Sequence, residues 1–301
     1  MSIESIGLRV PREFGVRTSP KRMPYKKYIF VYEGEKTESL YFEGLFNARE
    51  QLGIQSLIDF IPLERLDGTR SNQREVVVKT QAFLDKILIL QKSKESLEQE
   101  IISYFLGEFN LEIIKDLIEE YIHFQNLEQE IQSFVEALDE LNQESKELEN
   151  IISQIKGLQK MINYKPGYDE VCIILDRDFK SFKENQYDEV LEICKKKKYK
   201  LGLTNPCFEF WLLLHFDDCL SRDIETIRKN PKINKKKRYL EIELAKLENL
   251  SGYNKNRLNF DDYIDQIPLA IQREKAFCQD LEKLKNHVGS TVGCIIEELM
   301  G

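Results

Sequence analysis

Acidic residues follow two hydrophobic segments that lie far apart in the sequence. Glu33 comes directly after the apolar run 28–32, and Asp176 and Asp178 come directly after the apolar run 171–175. Both runs are short and rich in β-branched or aromatic residues, which is typical of strands buried on both faces of a parallel sheet. Functional groups of such sheets gather beyond the carboxyl ends of the strands, where three carboxylates would repel one another unless a cation binds them. Because oxygen ligands suit Mg²⁺ or Mn²⁺, we predict a metal site at Glu33, Asp176 and Asp178, which are also the predicted catalytic residues.

Further polar residues are candidates for outer ligands or for contacts with a substrate. Glu38 lies about one helical turn beyond the first strand, although a negative charge at a helix N-terminus also has a purely structural explanation. Asn205 is predicted to cap an apolar helix that has Pro206 at its first position, and Glu209 lies in the first turn of that helix. A helix N-terminus is itself an anion site. His215 lies near the end of the same helix, where a histidine is more often a hydrogen-bonded residue of the core.

Lysine and arginine residues are concentrated in two runs of the C-terminal half and in the first 27 residues. Residues 91–160 contain 6 Lys/Arg and 16 Asp/Glu, so the rest of the chain carries a net charge of +2 although the whole chain carries −8. One lysine run alone is usually a solvated surface, but two runs beside metal-binding carboxylates favour a nucleic-acid backbone as the partner. No base-reading motif is recognisable, so no sequence preference is predicted, and the choice between DNA and RNA also stays open. The predicted phosphate contacts are Lys195, Lys196, Lys197, Lys198, Lys235, Lys236, Lys237 and Arg238.

The order of predicted elements indicates an α/β fold with a mostly parallel sheet flanked by helices. Strands and helices alternate, which implies right-handed crossover connections. The predicted strands are 28–32, 56–63, 170–175 and 199–204. The predicted domains are an extended basic segment (1–27), an α/β domain (28–70 and 161–301) and an inserted helical arm (71–160).

The inserted segment 71–160 contains no proline and carries apolar residues at alternating spacings of three and four, which is a heptad pattern. We predict a long coiled-coil arm, either an antiparallel helical hairpin with its break at 107–110 or a hairpin with an additional bend. An arm of about 45 residues would reach about 65 Å. Such an arm is either a structural support or a surface for homodimerisation or for docking a partner.

Composition and the cysteine pattern favour a cytoplasmic protein without a membrane segment. Of the 301 residues, 42% are hydrophobic, which is enough for a sizeable core. The first residues form no apolar stretch typical of a secretory signal, and no apolar run approaches the roughly 18 residues that span a membrane. The six cysteines are scattered without a C-x-x-C pair, which predicts reduced thiols and no zinc site. The absence of G-x-x-x-x-G-K-[ST] and G-x-S-x-G motifs argues against a P-loop ATPase and a serine hydrolase.

Several motifs together resemble those of a known protein family. A glutamate–glycine pair after one predicted strand and a D-x-D motif after a later strand are similar to the motifs of the Toprim domain. The segments EGEKTESLYF (33–42), LDRDF (175–179), NPCFEFWLLLHF (205–216) and GSTV (289–292) resemble the signatures of RloB-like proteins. The resemblance covers about residues 27–66 and 165–300 and leaves the helical arm outside.

This resemblance implies a Toprim-like fold and a metal-dependent nuclease of bacterial anti-phage defence by abortive infection. It also implies a partner ATPase of the ABC/AAA type, which holds related effectors inactive, and tRNA as one candidate substrate. A bound Mg²⁺ or Mn²⁺ would polarise the scissile phosphate at Glu33, Asp176 and Asp178.

Two other functions also agree with the sequence. The chain could be a non-catalytic interaction module that docks to the ATPase through its helical arm. It could also carry out another Toprim reaction, such as primase-like nucleotidyl transfer or DNA strand passage, although no accessory domain for strand passage is evident in the sequence.

Overall fold

Two compact units make up the protein, an α/β unit within 18–60, 69–78 and 170–301 and a helical unit that contains 79–169. The structure is a computed structural model, which describes residues 8–9, 26–33, 36–54, 58–65, 72–106, 109–140, 145–235, 237–247 and 253–301. In chain order, the strands are β1 (Leu8–Arg9), β2 (Lys26–Tyr32), β3 (Ile58–Arg65), β4 (Glu170–Asp176), β5 (Lys200–Asn205) and β6 (Gly289–Ser290).

In the α/β unit, helix α1 follows β2, and a series of helices follows β4. Their bounds and those of the helical unit are α1 (Thr37–Asn47), α2 (Gln73–Leu90), α3 (Lys94–Tyr104), α4 (Leu111–Tyr121), α5 (Leu127–Glu140), α6 (Lys146–Met161), α7 (Glu184–Lys197), α8 (Phe208–Leu214), α9 (Ile224–Lys229), α10 (Tyr239–Lys246), α11 (Ile267–Glu274), α12 (Leu281–Leu284) and α13 (Val292–Met300).

The α/β unit is built on a mostly parallel sheet, which confirms the predicted fold class. Strands β2, β4 and β5 are parallel neighbours in that order, and the short strand β6 pairs antiparallel with β5. The register places Tyr32 opposite Ile174 and Asp176 opposite Thr204. The carboxyl ends of β2 and β4 therefore meet at the same edge of the sheet.

Burial on both faces explains the apolar composition of the central strands. Every residue of 28–32 and of 171–175 is buried. Helix α13 packs on β5, and Gly202 of that strand makes the close approach possible. A Cβ atom at Gly202 would lie 2.5 Å from Ile174 Cδ1 and 3.1 Å from Ile295 Cδ1.

The second predicted strand is present as β3, but it begins and ends two residues later than predicted. The two-residue strand β1 pairs antiparallel with β3. The sequence gives no strand pattern for β1, because so short a strand is defined by its hydrogen-bonding partner alone. The other residues of the predicted basic segment lie outside the described residues, except for Lys26 and Lys27, which begin β2.

The buried apolar helix after β5 is present, but it begins later than the sequence predicts. Asn205 is the last residue of β5, Cys207 is the N-cap residue, and the helix starts at Phe208. Asn205 is buried in the sheet, where its Nδ2 donates to the carbonyl oxygen of Leu284 at 2.8 Å. The prediction that Asn205 caps the helix, with Pro206 at the first helical position, is therefore wrong.

The segment predicted as a long hairpin is helical, but its described residues form five shorter helices, α2 to α6. The predicted break at 107–110 falls between α3 and α4, and further breaks separate the other helices. Polar side chains cap the new N-termini: Ser93 accepts from the backbone N–H of the third residue after it, and Ser145 does the same. Each cap starts a new helix after a break. The prediction of uninterrupted arms with a reach of about 65 Å is therefore wrong.

The heptad pattern does identify a packing surface in the second half of the helical unit. Helices α5 and α6 pack against each other there. The pair α5 and α6 is therefore much shorter than the predicted coiled coil. The buried residues of the predicted pattern are Ile131, Phe134, Leu138, Leu148, Ile152 and Ile155.

Two smaller predictions concern membranes and thiols. Within the described residues, no helix has the length and apolar character that a membrane crossing requires. The six cysteines are free thiols, and three of them are buried: Cys172, Cys194 and Cys219.

Candidate functional site

The two aspartates of the D-x-D motif lie at the carboxyl end of β4. Asp176 ends the strand, and its Oδ1 accepts a hydrogen bond of 2.7 Å from the backbone N–H of Phe208. Asp178 Oδ1 accepts from the backbone N–H of Lys180 at 2.9 Å. Helix capping and turn formation thus occupy one oxygen of each carboxylate. The second oxygen accepts no hydrogen bond from any described residue.

Glu33 lies beside Asp176, as expected from strands that end at one sheet edge. Its backbone N–H continues the parallel ladder by donating to Ile174 O at 3.0 Å. Its Oε2 accepts a hydrogen bond of 3.0 Å from the backbone N–H of Asp176. The tertiary structure therefore brings together carboxylates that are 143 positions apart in the chain.

A buried glutamine, which the sequence did not indicate, fixes the position of Glu33. Gln73 is fully buried at the start of α2, and its Nε2 donates to Glu33 Oε1 at 2.7 Å and to Ser181 Oγ at 3.2 Å. No motif marks this residue. The nearest signal is Asn72, which caps the helix by accepting from the backbone N–H of Glu75.

The Gln73→Glu variant is expected to lose about 3 kcal/mol of unfolding free energy at pH 8, because a buried carboxylate facing Glu33 replaces a hydrogen-bonded amide. The loss should shrink at pH 5, where the pair can share a proton. Denaturant unfolding at both pH values measures it. The double variant Glu33→Gln/Gln73→Glu restores an amide–carboxylate pair, so it should regain at least half of the loss. A double variant as unstable as the single one would contradict this role.

Several carboxylates influence Asp176. Burial raises the pKa of Asp176 well above its usual range, and the negative charges of Glu38, Glu33 and Glu209 raise it further. The positive charge of Lys255 acts in the opposite direction. Even so, no three His, Cys, Asp or Glu side chains of the described residues are close enough to hold a metal ion together. The structure thus contains an acidic cluster without a preformed cage of ligands.

Lys255 is the cation of this cluster, and the sequence analysis did not identify it. Its Nζ lies 2.6 Å from Glu209 Oε1 and 3.3 Å from Glu241 Oε1. Burial alone would lower the pKa of Lys255, but the neighbouring carboxylates, chiefly that of Glu209, raise it above its usual value. The backbone oxygen of Lys255 accepts from Thr37 Oγ1 at 3.0 Å, which holds the segment against the start of α1. Nothing in the local sequence around Lys255 distinguishes it from other surface lysines.

A cavity of about 480 Å³ opens at this edge of the α/β unit. Both aspartates line it, together with six basic residues. Arg228, Lys229 and Lys255 already pair with acidic residues. The other three, Arg177, Lys180 and Arg238, form no ion pair with a described residue, and Arg177 donates to backbone oxygens instead. The residues that line the cavity are Asp176, Arg177, Asp178, Phe179, Lys180, Pro206, Cys207, Arg228, Lys229, Asn230, Arg238 and Lys255.

The predicted basic runs contribute less to this cavity than the sequence indicated. Residues 195–197 form the last turn of α7, where positive charge is favourable for the helix dipole, and Lys198 is its left-handed C-cap. Lys235 is exposed, Lys236 lies outside the described residues, and Lys237 Nζ donates to a backbone oxygen. Of these predicted contacts, Arg238 is the one that lines the cavity among the described residues.

The other candidate polar residues have different positions. Glu38 is buried in the first turn of α1 and is close enough to Asp176 to raise its pKa. Glu209 is 3% exposed and pairs with Lys255. His215 is fully buried: Nδ1 donates to Trp211 O at 3.1 Å, since a carbonyl can only accept, and Nε2 then accepts from the Tyr41 hydroxyl at 3.0 Å. A substrate contact at His215 is therefore wrong, because the imidazole belongs to the core.

The His215→Gln variant should reduce the acid sensitivity of the fold. Burial lowers the pKa of His215 to about 3, so the unfolded chain takes up a proton below its ordinary pKa that the folded protein does not. Stability from this group is fully present above about pH 6.5 and is lost as the pH falls from there toward 3. Between pH 7 and 5, the wild type should lose about 2 kcal/mol more unfolding free energy than the variant. Denaturant unfolding measures this difference. His287→Gln at an exposed position is the control, and equal losses in all three proteins would refute the prediction.

The comparisons with known proteins identify one family. The model of the family described as RloB-like protein matches residues 28–299. This chain belongs to the RloB-like protein family. The matched range also runs through the helical segment, which the sequence motifs of RloB-like proteins left outside. No curated protein and no solved structure matches the chain.

Proposed function

We propose that this RloB-like protein is a metal-dependent endonuclease that hydrolyses phosphodiester bonds of nucleic acid. The observation that carries the proposal is that Asp176 and Asp178 line the same cavity as six lysine and arginine residues. Cations alone would bind a phosphate backbone without reacting with it, and carboxylates alone would repel it. A site with both suits metal-assisted attack on a bound phosphodiester.

The residues of the site fit Mg²⁺ or Mn²⁺ by their chemistry. Glu33, Asp176 and Asp178 offer only oxygen ligands, and a bound cation would offset the burial and the carboxylate repulsion that raise the pKa of Asp176. A complete cage of side chains is not required, because Mg²⁺ usually keeps several waters and is held by one or two carboxylates together with substrate phosphates. In this proposal, Asp176 and Asp178 hold the ion, and Glu33 accepts a proton from the attacking water.

Each group has a role in hydrolysis. The bound ion would withdraw charge from the scissile phosphate and make the attacking water more acidic. Lys180 and Arg238, which form no ion pair with described residues, would hold the phosphates on either side. Glu33, held by Gln73 and by the backbone of Asp176, would accept a proton from the attacking water as one P–O bond forms, and the leaving oxygen would take a proton from solvent water as the bridging P–O bond breaks.

The biological setting follows from the family resemblance. We place the activity in bacterial anti-phage defence, with an ABC/AAA-type ATPase as the regulating partner and tRNA as one candidate substrate. The ATPase, a homodimer and a cytoplasmic location stay predictions. The helical unit is the part of the chain that we expect to meet the ATPase, since its helices are not needed to form the cavity.

A cleavage assay tests the proposal. Purified protein is incubated with Mg²⁺ or Mn²⁺ and with plasmid DNA or total tRNA, beside the Glu33→Gln variant. Metal-dependent cleavage by the wild type, lost in the variant and on chelation, would support the nuclease and name its substrate. Cleavage that persists undiminished in Glu33→Gln would point to a contaminating nuclease and refute the assignment of the site.

The interaction module is the alternative that this assay separates. If neither substrate is cut even when the partner ATPase is supplied, the acidic site is not a nuclease site. The function is then better explained as docking to the ATPase. The intact carboxylates of the site favour the nuclease.

A further inference from the structure

The cavity beside the two aspartates has the dimensions of a site for one nucleotide. Its volume is about 480 Å³, and cavities of several hundred Å³ typically enclose one small molecule. A DNA duplex has a major groove that is itself about 12 Å wide, so an intact double helix cannot enter such a cavity. A nucleotide of a locally unpaired strand can enter this cavity with its base, whereas a base paired within a duplex cannot.

One wall of the cavity offers surfaces on which a base can stack. Phe179 lines the cavity and has the guanidinium carbon of Arg228 5.7 Å from its ring centroid. Arg177 lies 4.3 Å from the same centroid and is fixed by hydrogen bonds to the backbone oxygens of Phe182 and Lys285. Unstacked bases are commonly held on aromatic rings and on arginine planes, independently of sequence.

A buried asparagine holds one basic side chain of the cavity, that of Arg238. Asn230 is 5% exposed and follows the last turn of α9, which contains Arg228 and Lys229. Its Nδ2 donates to Cys207 Sγ at 3.2 Å, and its backbone oxygen accepts from Arg238 at 3.1 Å. The second bond holds Arg238 at the cavity, whereas Arg228 and Lys229 pair with Glu225. The acidic residues that line the cavity are the two aspartates of the D-x-D motif.

We infer that the site accepts single-stranded nucleic acid, from which one unpaired nucleotide enters the cavity with its base against Phe179 and Arg228. The phosphates that flank this nucleotide contact Lys180 and Arg238. The inference deepens the proposed nuclease function and rests on it for the identity of the site. It excludes an intact duplex as the substrate, whether the strand is RNA or DNA.

Binding to fluorescent oligonucleotides tests the inference without turnover. The Asp176→Asn variant is titrated at about 150 mM salt with an unstructured 20-nucleotide strand and with the duplex of the same sequence, in RNA and in DNA. The single strand of at least one chemistry should bind at least tenfold more tightly than its duplex. Equal or tighter duplex binding, or no binding of either, would overturn the inference.

Substitutions in the cavity wall locate the binding site. Arg228→Ala in the Asp176→Asn background should weaken single-strand binding about tenfold, in line with the loss of one stacked base. Arg228→Lys keeps the charge but removes the planar group, so it should recover only part of the loss. The control is Arg74→Ala, which removes an arginine that pairs with Glu189 and does not line the cavity. A loss in Arg74→Ala as large as that in Arg228→Ala would also overturn the inference.

The two proposals fail differently. Tight single-strand binding without cleavage by the wild type, with the partner ATPase supplied, would refute the nuclease and leave the binding site in place. Cleavage of a fully paired duplex as fast as of the single strand would refute the single-strand inference and leave the nuclease in place.

Discussion

The Asp176→Asn variant is expected to cleave nucleic acid about 10³-fold more slowly than the wild type, because it removes the charge of a residue that would hold the metal ion. The asparagine Oδ1 can still accept the backbone N–H of Phe208, so the start of α8 should stay intact. Cleavage rates measured at saturating Mg²⁺ test the prediction. Asp261→Asn, which changes an exposed aspartate outside the cavity, is the control for a general charge effect.

Stability separates loss of chemistry from loss of fold in this variant. Burial and neighbouring carboxylates raise the pKa of Asp176 in the folded protein. The metal-free wild type therefore loses stability as the pH rises above the ordinary pKa of an aspartate, where the unfolded chain has already released the proton. Asp176→Asn lacks this loss and should be at least as stable as the wild type at pH 8. A variant that is inactive and also much less stable would mean that the activity is lost with the fold and not with the charge of Asp176.

The Lys255→Met variant is expected to lose both stability and activity. Glu209 is 3% exposed and would be left without its ammonium partner. Breaking a buried pair costs about 3–5 kcal/mol, and because the Lys255 side chain is 47% exposed we expect about 1–3 kcal/mol. Cleavage should fall about 10²-fold, because a cation beside the scissile phosphate is lost. Denaturant unfolding and cleavage rates measure the two effects.

A second substitution distinguishes the two roles of Lys255. Glu209→Gln in the Lys255→Met background removes the unpaired charge and should restore most of the stability, but it cannot restore the cation. If activity returns together with stability, Lys255 has only a structural role. Lys246→Met, in which an exposed lysine pairs with a different glutamate, should change neither quantity appreciably.

Local patterns were sufficient for the elements that position the site. The runs 28–32 and 171–175 are continuous and apolar because the strands are buried on both faces. This composition was enough to predict that both strands belong to a parallel sheet. Since parallel strands end at one edge, the meeting of Glu33 with Asp176 followed from the same reasoning. Their role as catalytic groups is a prediction that the cleavage assay must test.

Predictions from local sequence patterns were wrong where two different structures produce the same pattern. Apolar residues at spacings of three and four fit both a long coiled coil and several short packed helices. The difference lies in capping residues such as Ser93 and Ser145, whose effect depends on whether the helix is interrupted there. For Asn205, N-cap preference competed with pairing to β6 and with burial, and the sheet prevailed.

The sequence by itself determined the family, the α/β class and the carboxylates at the ends of two strands, because these depend on short contiguous patterns. Only the tertiary structure decided which cations join them. Of the predicted lysine and arginine contacts among the described residues, Arg238 lines the cavity, while Lys255, Arg228 and the amide of Gln73 come from distant segments. Electrostatic interactions depend on distances in space and not on distances along the chain. A lysine in the sequence therefore shows that a cation exists, but not which carboxylate or phosphate it contacts.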